Sequence, residues 1–465
     1  MLKTICFLLT FSLCLPVYAL AKSTWPPAPP QGQPLEIKDT VYGVLRTHRN
    51  LRGMQENREA YKHELSRAQA GFGPRIDLEG RSGGSIYSDS TTRGLDFDKT
   101  MYGYVSASAR LVQPIWDGFA TRSRVREAQS ALNSISYHVF DAATSLTLDG
   151  IIAHIDVLRR RAIYEMALDN VQRHKEILVQ AQDRASSGAD NMANVTQTQS
   201  RLERAESSLS EAKAALIVAE HTYTRLTGLD PKNLRPVTMP PDVFSSTDKI
   251  LDLAQKFNPK LAAYMQDIRV ARARREQSES TFYPSFNLEV GPSYTDRGGS
   301  SDRWIYSFDV LAILRWNIFN SGADVAERKA ASARMRQSRQ VMYDYFDSLK
   351  LDIESTWSNY QAAQEQYQHY SEAMEFNKYT REAYLEQFNL GDRTLLDILD
   401  ITSELYSSST QAESARSNIL VGAYRLSGLT GNLLPSMGID TRGLYKGVPV
   451  DPTDKREHFK PAWFN

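Results

Sequence analysis

The sequence predicts a mainly α protein with a membrane β-barrel part: two tandem copies of a long coiled-coil helical hairpin, with four amphipathic strands per chain. Three observations predict it. The chain repeats itself at an offset of about 200 residues, its longest periodic segments carry unbroken heptads, and its strand-like stretches alternate apolar and polar residues.

Composition bounds the reading first. The 465 residues carry 55 Lys+Arg against 55 Asp+Glu, a net charge of zero with a pI near 7.1. There is no basic footprint for nucleic acid and no acidic tail. The chain opens with Lys3, an apolar run from Ile5 to Val17 and then "ALAK", where Ala19 and Ala21 form an A-x-A cleavage site. Residues 1–21 are thus expected to be a secretory signal peptide. Both cysteines, Cys6 and Cys14, fall inside it, and Leu-Cys-Leu-Pro around Cys14 lacks the small residues that precede a lipidated cysteine. The mature protein is expected to be unlipidated and cysteine-free, so its stability must come from packing or oligomerisation. No later stretch offers ~18 consecutive apolar residues, so a membrane crossing would have to be a barrel.

A Pro-rich segment, 22–34, precedes the first repeat at 35–229. "FGPRIDLEG" (Phe72 to Gly80) recurs as "FYPSFNLEV" (Phe282 to Val290), "PIWDG" (Pro114 to Gly118) loosely as "NIFNSG" (Asn317 to Gly322), and "RLTGL" (Arg225 to Leu229) as "RLSGL" (Arg425 to Leu429). A Pro-rich linker, 230–246, separates the copies, the second repeat spans 247–429, and a C-terminal segment, 430–465, follows. Each copy should open with one helix of moderate length, Ile37 to Gly71 and Thr247 to Phe282. Strands follow near 74–82 and 101–116, and near 284–294 and 304–319. Very long helices should then run from Phe119 to Asp183 and from Ala323 to Phe388. Gly188 and Gly391 mark the turns into a last helix of about 40 residues, which closes near Gly228 or Gly428.

The helices carry a coiled-coil seam. Val125, Ala128, Leu132, Ile135, Val139, Ala142 and Leu146 step by 3 and 4 in alternation. So do Val195, Thr198, Leu202, Ala205, Leu209, Ala212, Leu216, Ala219, Tyr223 and Leu226. Adding 203 to that second series gives Ile398, Ile401, Leu405, Ser408, Ala412, Ala415, Ile419 and Gly422. At 1.5 Å per residue the longest helices would span ~100 Å, well beyond a globular domain.

The strands have two faces. Phe286, Leu288, Val290 and Tyr294 alternate with Ser285, Asn287, Glu289 and Ser293. Tyr306, Phe308, Val310, Ala312, Leu314, Trp316 and Ile318 alternate with a set containing Ser307, Asp309, Arg315 and Asn317. The first-copy pair is weaker, with Ile76, Leu78, Val105, Ala107, Ala109 and Leu111 against Arg75, Asp77, Glu79, Ser106, Ser108 and Arg110. Alternation alone fits a half-buried sheet in a soluble domain equally well; strands flanked by ~100 Å helices favour one face toward lipid and one toward water. Four strands cannot close a barrel, which needs about eight, so several chains must share it.

With these features, and with "LGDRTLLDILDITSELYSSS" from Leu390 to Ser409, the chain resembles the TolC family of outer-membrane efflux and secretion channels over nearly its whole mature length. The resemblance implies a homotrimer in the outer membrane of a Gram-negative bacterium. It would form a 12-stranded barrel among outer-membrane lipid, a 12-helix tunnel in the periplasm, and an equatorial collar from the linker and chain ends. It implies a passive exit duct for an efflux pump or a type I secretion system, closed at its inner end until a periplasmic adaptor and an inner-membrane ABC or proton-driven transporter open it. The alternative is a periplasmic coiled-coil adaptor or structural spacer, though an adaptor needs one helical hairpin rather than two.

No enzyme signature is visible. The histidines, such as His48, His154 and His174, are scattered without metal-ligand spacing, and there is no P-loop, no G-x-S-x-G and no mature cysteine nucleophile. No catalytic, cofactor or metal site is expected. The tyrosines of the second long helix, Tyr384 among them, read as interhelix packing.

One charged stripe remains. Arg393, Asp397, Asp400 and Glu404 step by 4, 3 and 4 beside the second-copy seam. Taken alone, Arg393 and Asp397 would be a solvated i,i+4 pair. The resemblance implies instead that Asp397 and Asp400 line the periplasmic entrance as cation-selective rings and that Arg393 belongs to links holding it shut. The family's best-studied pattern joins that Arg to a Tyr and an Asp, where this chain has Phe388 and Asn194. The gate is therefore expected to rely on seam packing and on Arg393 paired with Asp397 or Asp392, next to the turn glycines Gly188 and Gly391.

Overall fold

A computed structural model describes residues 33–86, 101–188, 191–240, 245–297 and 304–439. The expected signal peptide, nearly all of segment 22–34 and the chain beyond 439 lie outside the described residues. In the first copy α1 (Ile37–Thr47) and α2 (Arg49–Ala70) lead to β1 (Arg75–Ser85), β2 (Tyr102–Trp116), α3 (Ala120–Ser186) and α4 (Met192–Thr227). In the second, α5 (Thr247–Phe257) and α6 (Pro259–Glu279) lead to β3 (Ser285–Arg297), β4 (Trp304–Arg315), α7 (Ala323–Leu390) and α8 (Leu395–Thr430), and a short α9 (Leu433–Ser436) follows. The 67 and 68 residues of α3 and α7 correspond to ~100 Å each.

The single opening helix expected in each copy is in fact two. In the second copy the break has a local cause: Pro259 cannot continue α5, and the preceding Asn258 turns extended. The Asn258 side chain accepts from the Leu261 amide at 2.9 Å and from the Tyr345 hydroxyl at 3.2 Å, and donates to the Leu429 carbonyl at 2.9 Å. The break is therefore pinned to α7 and to the end of α8. In the first copy His48 takes the extended conformation with no proline to force it.

All four strands join in one antiparallel sheet in the order β1-β2-β3-β4. Register places Ile76 beside Leu111, Leu111 beside Val290 and Val290 beside Val310, so one apolar row crosses the sheet. The other face holds Asp77 beside Arg110, and Ser108, Ser293 and Ser307 in line. Leu78 is 80% exposed and Val310 61%. An apolar face this bare belongs in lipid or against another chain. From the sheet the chain enters each long helix through a left-handed pair, Gly118–Phe119 and Ser321–Gly322. At the first, Asp117 accepts from the Thr121 amide at 2.7 Å and starts α3.

The α4 seam is buried at Val195, Thr198, Leu202, Ala205, Ala212, Ala219, Tyr223 and Leu226, and the α8 seam at Ile398, Ile401, Ser408, Ala412, Ala415 and Gly422. Gly422 faces Tyr360 closely enough that a Cβ would touch it at 3.1 Å. Midway along the helices, Val41, Leu45 and Leu51 pack with Val139, Ile151, Ile155, Tyr424, Leu433 and Leu434 in the largest core. There a parallel bridge joins Leu35 to Leu234 of the linker.

A buried polar chain ties this girdle together. His154 Nε2 lies 2.9 Å from the Arg235 carbonyl, so it carries the proton; Nδ1 then accepts from the Thr40 hydroxyl at 2.8 Å, and Thr40 accepts from Tyr223 at 2.8 Å. Burial pushes the His154 imidazole below its usual value, outweighing the Arg235 carbonyl, with Arg161 adding repulsion. The depressed value means the folded state prefers neutral His154. Its contribution is fully present above the unfolded value of about 6.5 and is lost as pH falls through the folded one. Melting of the detergent-solubilised protein should therefore shift to lower temperature between pH 8 and 5, and His154→Gln should flatten that dependence; an equally steep acid loss in the variant would contradict it.

Candidate functional site: the hairpin tips

The two helical hairpins end side by side. Gly391 (φ +89°) closes α7, its amide reaching the Gln387 and Phe388 carbonyls, and Gly188 takes φ +76° after α3. Both conformations suit glycine, which has no Cβ to clash. Thr394 then caps α8, and Asp397 completes a capping box. Asp397 Oδ2 accepts from the Thr394 amide at 3.0 Å and hydroxyl at 2.8 Å. These bonds hold the Asp397 carboxyl below the usual carboxylate range. Both strengthen the anion, which also sits favourably at a helix N-terminus.

Inward, Leu395, Ile398 and Leu399 of α8 pack with Ile177 and Ala181 of α3, Val195 of α4 and Phe388 of α7. All four helices thus contribute to one apolar plug, which accounts for the apolar residues of "LLDILDI".

Within the chain Arg393 does not form the expected close ion pair with Asp397 or Asp392, although its charge adds slightly to the lowering of the Asp397 carboxyl. Helix α8 begins only at Leu395, so Arg393 precedes the helix and the i,i+4 geometry does not exist, while Asp397 is turned toward Thr394. Arg393 instead donates from Nε to Gln387 at 3.0 Å and lies over the Tyr384 ring at 4.3 Å. It clamps its own hairpin. Asp392 is exposed, its amide bonded to the Gln387 carbonyl at 2.9 Å. Asn194 lies half-buried in the first turn of α4, its carbonyl accepting from Thr198 at 2.8 Å.

The cations that tie the hairpins together at the tips are two that the sequence did not single out. Arg201 of α4 reaches Asp400 of α8 at 2.7 Å. Arg184 of α3 lies 4.7 Å above the ring of Phe388. One signal was available: under the 203-residue offset Arg201 matches Glu404, so the first copy carries a cation where the second copy carries its acidic stripe.

Among the described residues no His, Cys, Asp and Glu cluster suits a metal ion, and no helix is long and apolar enough to cross a membrane.

Comparison with known proteins agrees with this architecture. The family model "Outer membrane efflux protein" matches residues 41–229 and 250–432, both copies. The chain is 21% identical over 433 residues to the outer membrane efflux protein BepC of Brucella suis, covering 92% of each. It is 24% identical over 406 residues to the alkaline protease secretion protein AprF of Pseudomonas aeruginosa, covering 84% of this chain and 83% of that one. The crystal structure of the Campylobacter jejuni CmeC outer membrane channel superposes with a TM-score of 0.73 at 13% identity, over 87% of this chain and 90% of that one. A match spanning both hairpins and both strand pairs does not favour the adaptor or spacer reading. The chain belongs to the outer membrane efflux protein family, the efflux and secretion channels of the Gram-negative outer membrane.

Proposed function

We propose that three copies assemble into one duct, a 12-stranded barrel above a 12-helix tunnel, and that the hairpin tips form its periplasmic entrance. The observation that carries this is the four-stranded sheet, whose edges β1 and β4 are unpaired among the described residues, and its one bare apolar face. Open edges cannot be left in lipid, and pairing β1 of one copy with β4 of the next closes them. The outermost helices agree: α7 exposes Leu351, Phe376 and Tyr379, and α4 exposes Ile217 and Val218, as surfaces awaiting a neighbour would.

In this reading a periplasmic adaptor and an inner-membrane transporter engage the tips and draw them apart, and cargo moves passively through the lumen. Efflux accords with the relative BepC, and secretion with the relative AprF and the expected absence of lipidation. Asp397 and Asp400 would contribute two rings of carboxylates, which stabilise cations at a constriction. In planar bilayers the purified protein should conduct with cation preference, and Asp397→Ala with Asp400→Ala should weaken both that preference and block by multivalent cations. Because Asp397 also caps α8, Asp397→Asn with Asp400→Asn is the cleaner charge test. Unchanged selectivity in both double variants would mean that these carboxylates do not face the lumen.

A further inference from the structure

We infer that Arg201 and Arg184, both on the first hairpin, latch the entrance shut and that the Arg201 latch also masks one of the two carboxylate rings. The inference rests on the reading of the tips as the entrance. The helices α4 and α8 belong to different hairpins, and the Arg201–Asp400 pair is a charged tie between them. Arg201 is 25% exposed and Asp400 58%, so the pair bridges the hairpins at the rim of the apolar plug rather than inside it. The second tie is of another kind. Arg184 Nε is buried with no hydrogen-bond acceptor, and what its guanidinium has instead is the Phe388 ring face. A guanidinium stacks on an aromatic face favourably, and phenylalanine serves where a hydroxyl would add nothing. Phe388 thus holds the tip through its ring, beneath a cation from the neighbouring hairpin.

The arrangement couples gating to selectivity. While the hairpins touch, Arg201 neutralises Asp400 and leaves Asp397, held by Thr394, as the unmasked carboxylate. When they separate, Asp400 is released into the opening. A trimer therefore changes from three unmasked carboxylates to six as it opens, and the open entrance should prefer cations more strongly than the closed one.

Charge exchange tests this. An exposed pair contributes roughly two- to fivefold per copy, so concerted opening of three copies multiplies to on the order of tenfold to a hundredfold. Arg201→Asp and Asp400→Arg, each placing like charges together, should raise resting conductance in planar bilayers by that order. The double exchange should return it to within about twofold of the parent. Arg201→Gln should also shift the reversal potential in a salt gradient toward stronger cation preference, which a merely structural residue would not do. For the second tie, Arg184→Gln should leak while Arg184→Lys, which keeps a cation over the ring, should leak less. All variants are read on assemblies shown by gel filtration to have the parent's size. Single exchanges that conduct as the parent does, or a double exchange as leaky as the worse single, would overturn the latch. Conductance absent from the parent and every variant would overturn the channel reading itself.

Discussion

Val310→Arg is expected to abolish assembly of the barrel, although Val310 is 61% exposed in the chain. In a soluble sheet an arginine at so open a position would be tolerated. Here Val310 lies beside Val290, at the β4 end of the apolar row that crosses the sheet. Lipid-facing arginine costs about 2–4 kcal/mol near the bilayer midplane, and a trimer would incur that three times. Ser307→Arg is the matched control: it lies on the wet face of the same strand, with its hydroxyl 2.9 Å from Ser293 and 3.0 Å from Asp309. The measurement is recovery of a heat-modifiable oligomer from the outer-membrane fraction. Loss in Val310→Arg and retention in Ser307→Arg are expected; equal recovery of the two would mean that the bare face does not meet lipid.

Gly291→Ala should be nearly as damaging, for a steric reason. The sheet joins the two copies of the repeat through β2 and β3, with Ser108 beside Ser293 and Leu111 beside Val290. Between those pairs the β3 backbone runs so close to β2 that a Cβ at Gly291 would be driven into the Ala109 carbonyl oxygen. The next residue, Pro292, has no amide to give to the ladder. Neither strand can yield without breaking its other pairings, so a cost of roughly 3–5 kcal/mol is expected. Gly103→Ala, in β2 with nothing within 4 Å of the added carbon, should be silent. The check is urea resistance of the assembled protein by tryptophan fluorescence; indistinguishable midpoints for the two variants would refute the argument.

Sequence reading succeeded where one residue type at one spacing has one physical meaning. Strict 3–4 stepping identified the α4 seam, and period-two alternation identified the sheet faces even in the weaker first copy, because register couples Ile76 to Leu111 and onward to Val290. It failed where the cause is tertiary. The break at His48 carries no proline or glycine. The 4, 3 and 4 stepping of the stripe makes Arg393 look helical, yet Thr394 caps a helix that begins only at Leu395, leaving Arg393 outside that geometry. Nothing local singles out Arg184 and Arg201, because their partners, Phe388 and Asp400, lie about 200 residues away in the other repeat. Phe388 read as a lost hydroxyl, since nothing local reveals a cation placed above its ring.

The measurement that bears most directly on the shared barrel is native mass spectrometry of the protein extracted in mild detergent, with its β content followed by circular dichroism. Three chains per particle, with no monomer that retains the β signal, is the predicted result. A stable monomer carrying the full β signal would contradict it, because β1 and β4 would then have found another way to close.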